Sequence, residues 1–218
     1  ACAVHCRYCF RREFPYSENG SRREFWAPAV EYIAKDESIE EVLLSGGDPL
    51  TLTDGVLFRL IDEIESVGHV RRLRIHTRLP IAIPQRITTE LVGRLSRSRL
   101  AVWVVVHANH AQEIDSAVAD CLVRLRRGGI SVLNQAVLLA GVNDDVAALA
   151  NLSLELVNLG VQPYYLHQLD RVRGSSHFWV EIERGKRILD ELRQRLPGYA
   201  VPKYVIEQSG EKSKTPIA

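Results

Sequence analysis

Three of the four cysteines fall in one short run, Cys2-Ala-Val-His-Cys6-Arg-Tyr-Cys9, with three and then two residues between them. Closely spaced thiolates are natural iron–sulfur ligands, and a complete four-iron cluster takes four. Three leave one iron open, which is what a catalytic metal site keeps and a structural site closes. The odd number in the motif argues against disulfides. Zinc held by the three cysteines and His5 is the competing reading, yet structural zinc sites usually draw ligands from two separated knuckles, and no second pair follows. Cys121 falls in a helical stretch, Ala117 to Leu125, and reads as a small buried apolar residue.

Something must carry that loop. Strand-like runs recur at Glu41 to Leu44, Arg72 to Ile75, Ala101 to Val106, Ser131 to Leu139, Val161 to Leu166 and Lys203 to Ile206. Helical patterns lie between them: Phe25 to Ala34, Gly55 to Val67, Thr89 to Ser96, Gln112 to Arg127, Val146 to Leu159 and Glu181 to Leu196. Thr88 and Asp144 read as N-caps, and Gly68, Gly128 and Gly160 as stops. Such a βα repeat gives a parallel sheet covered by helices, open or curled into a barrel, with chemistry at the C-terminal strand ends. The segments just after the strands are polar: Ser45-Gly46-Gly47-Asp48, His76-Thr77-Arg78, His107-Ala108-Asn109-His110, Ala140-Gly141-Val142-Asn143 and His167-Gln168-Leu169-Asp170. Loops are polar anyway, but five in succession point to one shared site.

The 218 residues, 46% hydrophobic and 25% charged, suit one soluble core of ordinary composition, and a net charge of +1 favours neither nucleic acid nor a membrane surface as partner. No apolar run approaches a membrane span and no signal peptide precedes the cysteine motif, so the expected location is cytoplasmic. The lack of any Met and the start inside a functional loop lead us to expect a fragment.

The spacing Cys-x3-Cys-x2-Cys with Tyr8 before the last cysteine resembles the radical S-adenosylmethionine (SAM) superfamily, and Ser45-Gly46-Gly47-Asp48-Pro49-Leu50 resembles its glycine-rich segment for the amino end of SAM. Within it, Cys9-Phe10-Arg11-Arg12, Arg74-Ile75-His76-Thr77-Arg78-Leu79-Pro80, Pro84-Gln85-Arg86-Ile87-Thr88, Asn134-Gln135-Ala136-Val137-Leu138-Leu139, Gly141-Val142-Asn143-Asp144 and Ser213-Lys214-Thr215-Pro216 resemble the lysine 2,3-aminomutase family along the whole chain. The stretches from His5 to Tyr16 and from Pro163 to His167 are most similar to the branch that makes (R)-β-lysine for modifying translation elongation factor P.

The resemblance implies an α/β fold, a partial (βα)6 TIM-like radical SAM barrel over residues 1–200 whose first strand lies upstream, followed by a C-terminal strand and a lysine loop over 201–218. It implies a 4Fe-4S cluster on Cys2, Cys6 and Cys9, SAM near Ser45, Gly46, Gly47 and Asp48, and pyridoxal 5′-phosphate (PLP) on Lys214. Of five lysines, Lys35 and Lys186 lie in charged helical stretches, Lys203 alternates outward on a late strand, and Lys212 shares the loop with Lys214. Arg11 matches the arginine that grips the substrate carboxylate, for which a planar guanidinium is suited. Asp170 matches an aspartate for the distal amino group of lysine, and Glu207 stands where lysine-specific members carry a second one. His107, Asn109 and Gln135 line the SAM or PLP pocket on this reading, though satisfied polar core residues have the same pattern. Asp145 replaces the zinc-ligating cysteine of some members, so structural zinc is not expected. The implied reaction is a radical migration of the amino group of free L-lysine from α to β, making the enzyme an isomerase. Its implied partners are an electron donor, a ligase that uses the product on elongation factor P, and a second copy of the chain. The rival readings are an aminomutase of lysine degradation or antibiotic synthesis, with the opposite product configuration, and a non-catalytic zinc-binding module.

Overall fold

The computed structural model of the chain describes residues 2–11, 13–14, 23–211 and 213–217. The expectations that fall on Arg12, on Pro15 and Tyr16, and on Lys212 lie outside them.

Residues alternate in burial along the strand runs, because successive side chains of a strand point to opposite faces. In β2 (Arg72–Thr77), Leu73, Ile75 and Thr77 are buried while Arg72, Arg74 and His76 are half-buried. In β4 (Ser131–Val137), Val132, Asn134 and Ala136 are buried while Leu133, Gln135 and Val137 are half-buried. One face therefore packs on helices and the other borders the site. With β1 (Glu41–Leu44), β3 (Ala101–Val106), β5 (Gln162–His167) and β6 (Lys203–Ile206), these form six parallel strands in chain order. A short β7 (Thr215–Pro216) returns antiparallel on β6, pairing Thr215 with Ile206 and Pro216 with Val205. The seven strands make a half-barrel. The expected C-terminal strand is β6, paired with β5, and Lys214 sits at the turn into β7.

Helix α1 (Arg23–Lys35) precedes β1, and α2 (Asp54–Glu65), α3 (Leu79–Ala82), α4 (Thr89–Ser96), α5 (Ser116–Arg127), α6 (Val146–Asn158) and α7 (Ile182–Arg195) lie between the strands in sequence. Helix α5 shows why they form. Val118, Cys121, Leu122 and Leu125 fall three, four and seven residues apart and are all buried on one stripe. Asp115 accepts from the N–H of Val118 at 2.8 Å, and Arg124, Arg126 and Arg127 complement the helix dipole in the last turn. Gly128 caps the end, where a Cβ would lie 2.5 Å from Val92, so only glycine lets α5 finish this close to α4. Cys121 is 1% exposed, as its place in the stripe predicts.

Two sequence readings shift. Helix α5 begins at Ser116 rather than Gln112, because Asp115 caps it and Ala111–Glu113 form a separate 3-10 turn capped by His110. Asp145, not Asp144, caps α6 by accepting from Ala148 N at 2.9 Å, while Asp144 accepts from Gly141 N at 2.8 Å and pairs with Arg184 at 3.3 Å. Among the described residues no helix is long and apolar enough to cross a membrane.

Candidate active site

The cysteine loop is held over the C-terminal strand ends by its non-cysteine residues. The N–H of Cys9 donates to the carbonyl of Cys6 at 3.1 Å and closes a turn. The Arg7 guanidinium lies 3.3 Å from the ring of His177 and 5.1 Å from the Phe178 ring centre, tying the loop to the connection between β5 and α7. Tyr8 turns inward, where its hydroxyl accepts from the Asn109 side-chain amide at 2.6 Å. Burial pushes the Tyr8 phenol well above its ordinary range.

Cys2, Cys6 and Cys9 then line one cavity of about 320 Å³, at the lower end of the roughly 300–1,000 Å³ of small-molecule sites. His5 is exposed and does not border it. Among the described residues no three His, Cys, Asp or Glu side chains are placed to hold a single metal ion. A four-iron cluster asks for something else, one thiolate per iron, so its three ligands need to share a wall rather than meet at a point. Burial pushes the thiols of Cys2 and Cys6 up; for Cys2 the charge of Asp48 adds to this, and for Cys6 Arg78 and a hydrogen bond from Tyr8 oppose it. A bound metal overrides such shifts, since a coordinating thiol is deprotonated outright.

Other expected site residues divide into those that face the cavity freely and those already committed. Ser45, Gly46 and Asp48 border it, and Gly47 does not. Gly46 has φ +121°, open only to glycine, and the Arg11 guanidinium packs 3.5 Å from where its Cβ would be. The Asp48 carboxylate accepts from Leu50 N, Thr77 Oγ1, Arg78 N and Leu79 N at 2.7–3.2 Å. Its contribution is to fix the glycine loop against the end of β2. Asn109 is committed too: its Oδ1 accepts from Val137 N at 2.8 Å and its amide serves Tyr8. His107 and Gln135 differ, for His107 Nε2 and Gln135 Oε1 are sequestered without a protein partner, as are His76 Nε2 and His167 Nε2. All four residues line the cavity. Buried polar atoms are seldom left unpaired without cause, so this wall is built to meet polar groups of something bound.

His76, His167 and Arg78 also line the cavity, although sequence reading gave none of them a role. Their signal was present, since His76 and His167 belong to the polar segments at the strand ends. Arg78 donates to the His107 carbonyl at 2.5 Å and pairs with Glu113.

Arg11, Asp170, Glu207 and Lys214 border the same cavity. Lys214 Nζ is bonded to Glu207 Oε1 and lies 5.7 Å from the Tyr165 ring centre. Burial pushes the Asp170 carboxyl up and the Glu207 charge adds to it, while Lys214 opposes. Burial also acts on Glu207, but the hydrogen bond and charge of Lys214, with His167 and Arg11 behind them, hold it below the usual carboxylate range. Among the described lysines, Lys214 alone lines the cavity.

Burial lowers His76 to about 4, His107 to about 3 and His167 to about 4. An unfolded histidine takes up its proton near pH 6.5, so between there and about pH 4 the unfolded chain binds more protons and stability is lost as pH falls. Each histidine contributes a slope of about 1.4 kcal/mol per pH unit, and the three together about 4. Urea midpoints of the cofactor-free protein should therefore drop steeply between about pH 6.5 and 4.5; a flat profile contradicts the neutral assignment.

Residues 1–77 match the 4Fe-4S single cluster domain. The fold is similar to that of SuiB from Streptococcus suis, with a TM-score of 0.65 at 15% identity over 96% of this chain and 47% of that one. It is likewise similar to a radical SAM methyltransferase from Sphaerobacter thermophilus, with a TM-score of 0.59 at 20% identity over 86% and 57%. Half-barrel, cysteine spacing and cluster-domain match together define a radical SAM fold. In sequence the chain is 49% identical to the L-lysine 2,3-aminomutase of Escherichia coli K12 over 99% of its own length, and 38% identical to that of Clostridium subterminale over 99%. Over nearly its whole length the chain is thus similar to proteins named L-lysine 2,3-aminomutase. It spans 63% of the E. coli relative and 52% of the clostridial one.

Proposed function

We propose that these residues form most of the active site of an isomerase that converts L-lysine to β-lysine with a 4Fe-4S cluster, SAM and PLP, and that its product is (R)-β-lysine for modification of elongation factor P. The observation that carries this reading is that Cys2, Cys6, Cys9, Arg11, Lys214, Asp170 and Glu207 all line one cavity. The finer assignment rests on the two sequence stretches similar to that branch, one of which supplies His167 to the cavity wall.

When bound, SAM supplies a carbon radical and PLP a conjugated ring that accepts the migrating nitrogen. The thiolates of Cys2, Cys6 and Cys9 would hold the cluster, and its fourth iron would be left for SAM. Lys214 holds PLP. Arg11 binds the substrate carboxylate with parallel hydrogen bonds. Asp170 and Glu207 receive the distal ammonium, and the chain offers its own precedent: Glu207 already accepts an alkylammonium, that of Lys214, beside the Tyr165 ring. PLP held on Lys214 would engage its Nζ in place of Glu207, whose carboxylate would then be available to the substrate ammonium. The neutral histidines contribute ring nitrogens without adding positive charge near Lys214.

The test is the full-length enzyme reconstituted anaerobically with iron, sulfide, PLP, SAM and a strong reductant. Lysine should yield (R)-β-lysine that a β-lysine ligase transfers to elongation factor P. The (S) isomer would remove the elongation-factor assignment and leave the reaction standing. Removing one partner of a buried charge pair costs about 3–5 kcal/mol, and Asp170 is only half-buried. Asp170→Ala should thus raise the lysine KM by about a hundredfold with SAM binding unchanged; an unaltered KM means that Asp170 does not select the substrate.

A further inference from the structure

The three cysteines have the cavity on one side and an outward stretch of loop on the other. Cys2, Cys6 and Cys9 border the cavity, while Ala3, Val4, His5 and Arg7, which stand between them in sequence, are exposed. Electron transfer falls off steeply with distance, so a carrier protein that reduces a cluster held here must settle on this loop. What surrounds the loop is basic. Arg7 joins it to the connection between β5 and α7, through the His177 ring at 3.3 Å and the Phe178 ring centre at 5.1 Å. Asp170, which opens that connection, turns into the cavity, and residues 171–180 then carry Arg171, Arg173 and His177 and no acid. Arg171 and Arg173 are exposed, and the Arg171 guanidinium lies 4.7 Å from the Trp179 ring centre, a contact that orients its charge without neutralising it. Acids occur only at the margins: Glu13 on the cysteine loop, and Glu181, which accepts from the Trp179 ring nitrogen at 3.0 Å. The chain as a whole carries a net charge of +1, so this concentration of arginine is local. Val4 and Phe10, 39% and 55% exposed, add apolar area on the same loop.

We propose that the outer face of the cysteine loop, together with Arg171 and Arg173, is the docking surface for the electron donor, and that the donor is a small acidic one-electron carrier protein. This rests on the three cysteines being the cluster ligands. An exposed apolar centre with charge around it suits a short-lived contact, since electron-transfer complexes bury little area. Opposite charge then supplies what area does not: it steers the carrier to the loop and raises the rate of encounter. One electron passes from the reduced carrier to the cluster, the carrier is oxidised by one electron, and no bond is made or broken.

The experiment follows cluster reduction by anaerobic stopped-flow absorbance in the reconstituted full-length enzyme. The reductants are reduced flavodoxin and reduced plant-type ferredoxin, two acidic carriers, and photoreduced deazaflavin, a small uncharged one. Three forms are compared: wild type, the double variant Arg171→Glu with Arg173→Glu, and the double variant Arg171→Lys with Arg173→Lys. At low ionic strength the Glu variant should be reduced by the carriers about ten- to a hundredfold more slowly than wild type. The gap should close as salt rises past about 0.1 M, where charges beyond about 10 Å are screened. The Lys variant keeps the charge and should keep the wild-type rate. Deazaflavin should reduce all three forms alike, which a damaged cluster site would not allow. Should the Glu variant load poorly, the salt dependence of the wild type decides. Equal carrier rates in wild type and the Glu variant, a wild-type rate that does not fall with salt, or reduction by deazaflavin and by neither carrier overturns the proposal and leaves the ligand assignment standing. A wild type that takes up no iron removes the ligand assignment and the proposal together.

Discussion

Alanine at Cys2, Cys6 or Cys9 should strip the protein of iron and bring reductive SAM cleavage to background, while alanine at Cys121 should change neither. The contrast follows from where the four thiols sit. Three border the cavity, on a loop pinned by Arg7 and by the bond between Tyr8 and Asn109. The fourth is buried in the α5 stripe, its thiol pushed up to about 12 by burial, with its hydrogen directed at the Pro80 carbonyl 3.4 Å away. Loss of even an outer-sphere partner of a metal site typically costs about 10- to 100-fold in affinity or activity, so loss of a direct ligand should exceed a hundredfold. Cys121→Ala should cost about 1 kcal/mol of stability, in the usual range for a small core truncation. Iron and sulfide content, visible absorption and release of 5′-deoxyadenosine measure the first effect; a denaturant midpoint measures the second. Full cluster loading in all three single variants would remove the cysteine triad from the site.

Most of this arrangement was legible in the sequence, for reasons that also mark where legibility stopped. The strand and helix alternation is a local periodicity, and Thr88 capping α4 by accepting from Leu91 N at 3.1 Å is a local contact, so both can be read from neighbouring residues. The cysteine triad is likewise local. What a strand-end side chain does is not, because it depends on what the next strand brings alongside. Asn109 and His107 both follow β3 and look alike in sequence, yet Asn109 is consumed by Val137 and Tyr8 while His107 keeps a free ring nitrogen. Asp48 reads from sequence as part of the glycine-rich segment near SAM, yet in the fold backbone donors from the end of β2 surround its carboxylate. Gln168 looks like one more polar residue near the site. It is 1% exposed and structural, donating to the Val180 carbonyl at 3.0 Å and accepting from the Tyr204 hydroxyl. The turn into β7 was missed because Thr215–Pro216 is too short for periodicity to register; its evidence is the pairing with β6.

Lys214→Ala should abolish the borohydride-trapped pyridoxyl adduct and bring lysine isomerisation to background, with cluster loading and slow uncoupled SAM cleavage retained. A lysine that anchors PLP has to reach a desolvated pocket and be able to lose its proton there. Lys35 and Lys203 are exposed, and Lys186 pairs with Glu183 at 3.4 Å within α7. Lys214 is half-buried, on the cavity wall, and fixed at one end by the pairing of Thr215 with Ile206. Pro216 follows in β7, where its missing N–H is tolerated because β7 ends the sheet. The bond to Glu207 stabilises the protonated lysine, so the cofactor must compete with that carboxylate for Nζ. Glu207→Gln should accordingly speed PLP uptake at neutral pH while weakening lysine binding, two opposite effects from one residue. Peptide mapping after borohydride reduction of the full-length, PLP-loaded protein locates the label. A pyridoxyl group on Lys203 or Lys212 moves the anchor and preserves the reaction class; no labelled lysine at all removes PLP, and with it the aminomutase mechanism, in favour of radical chemistry on the cluster and SAM alone.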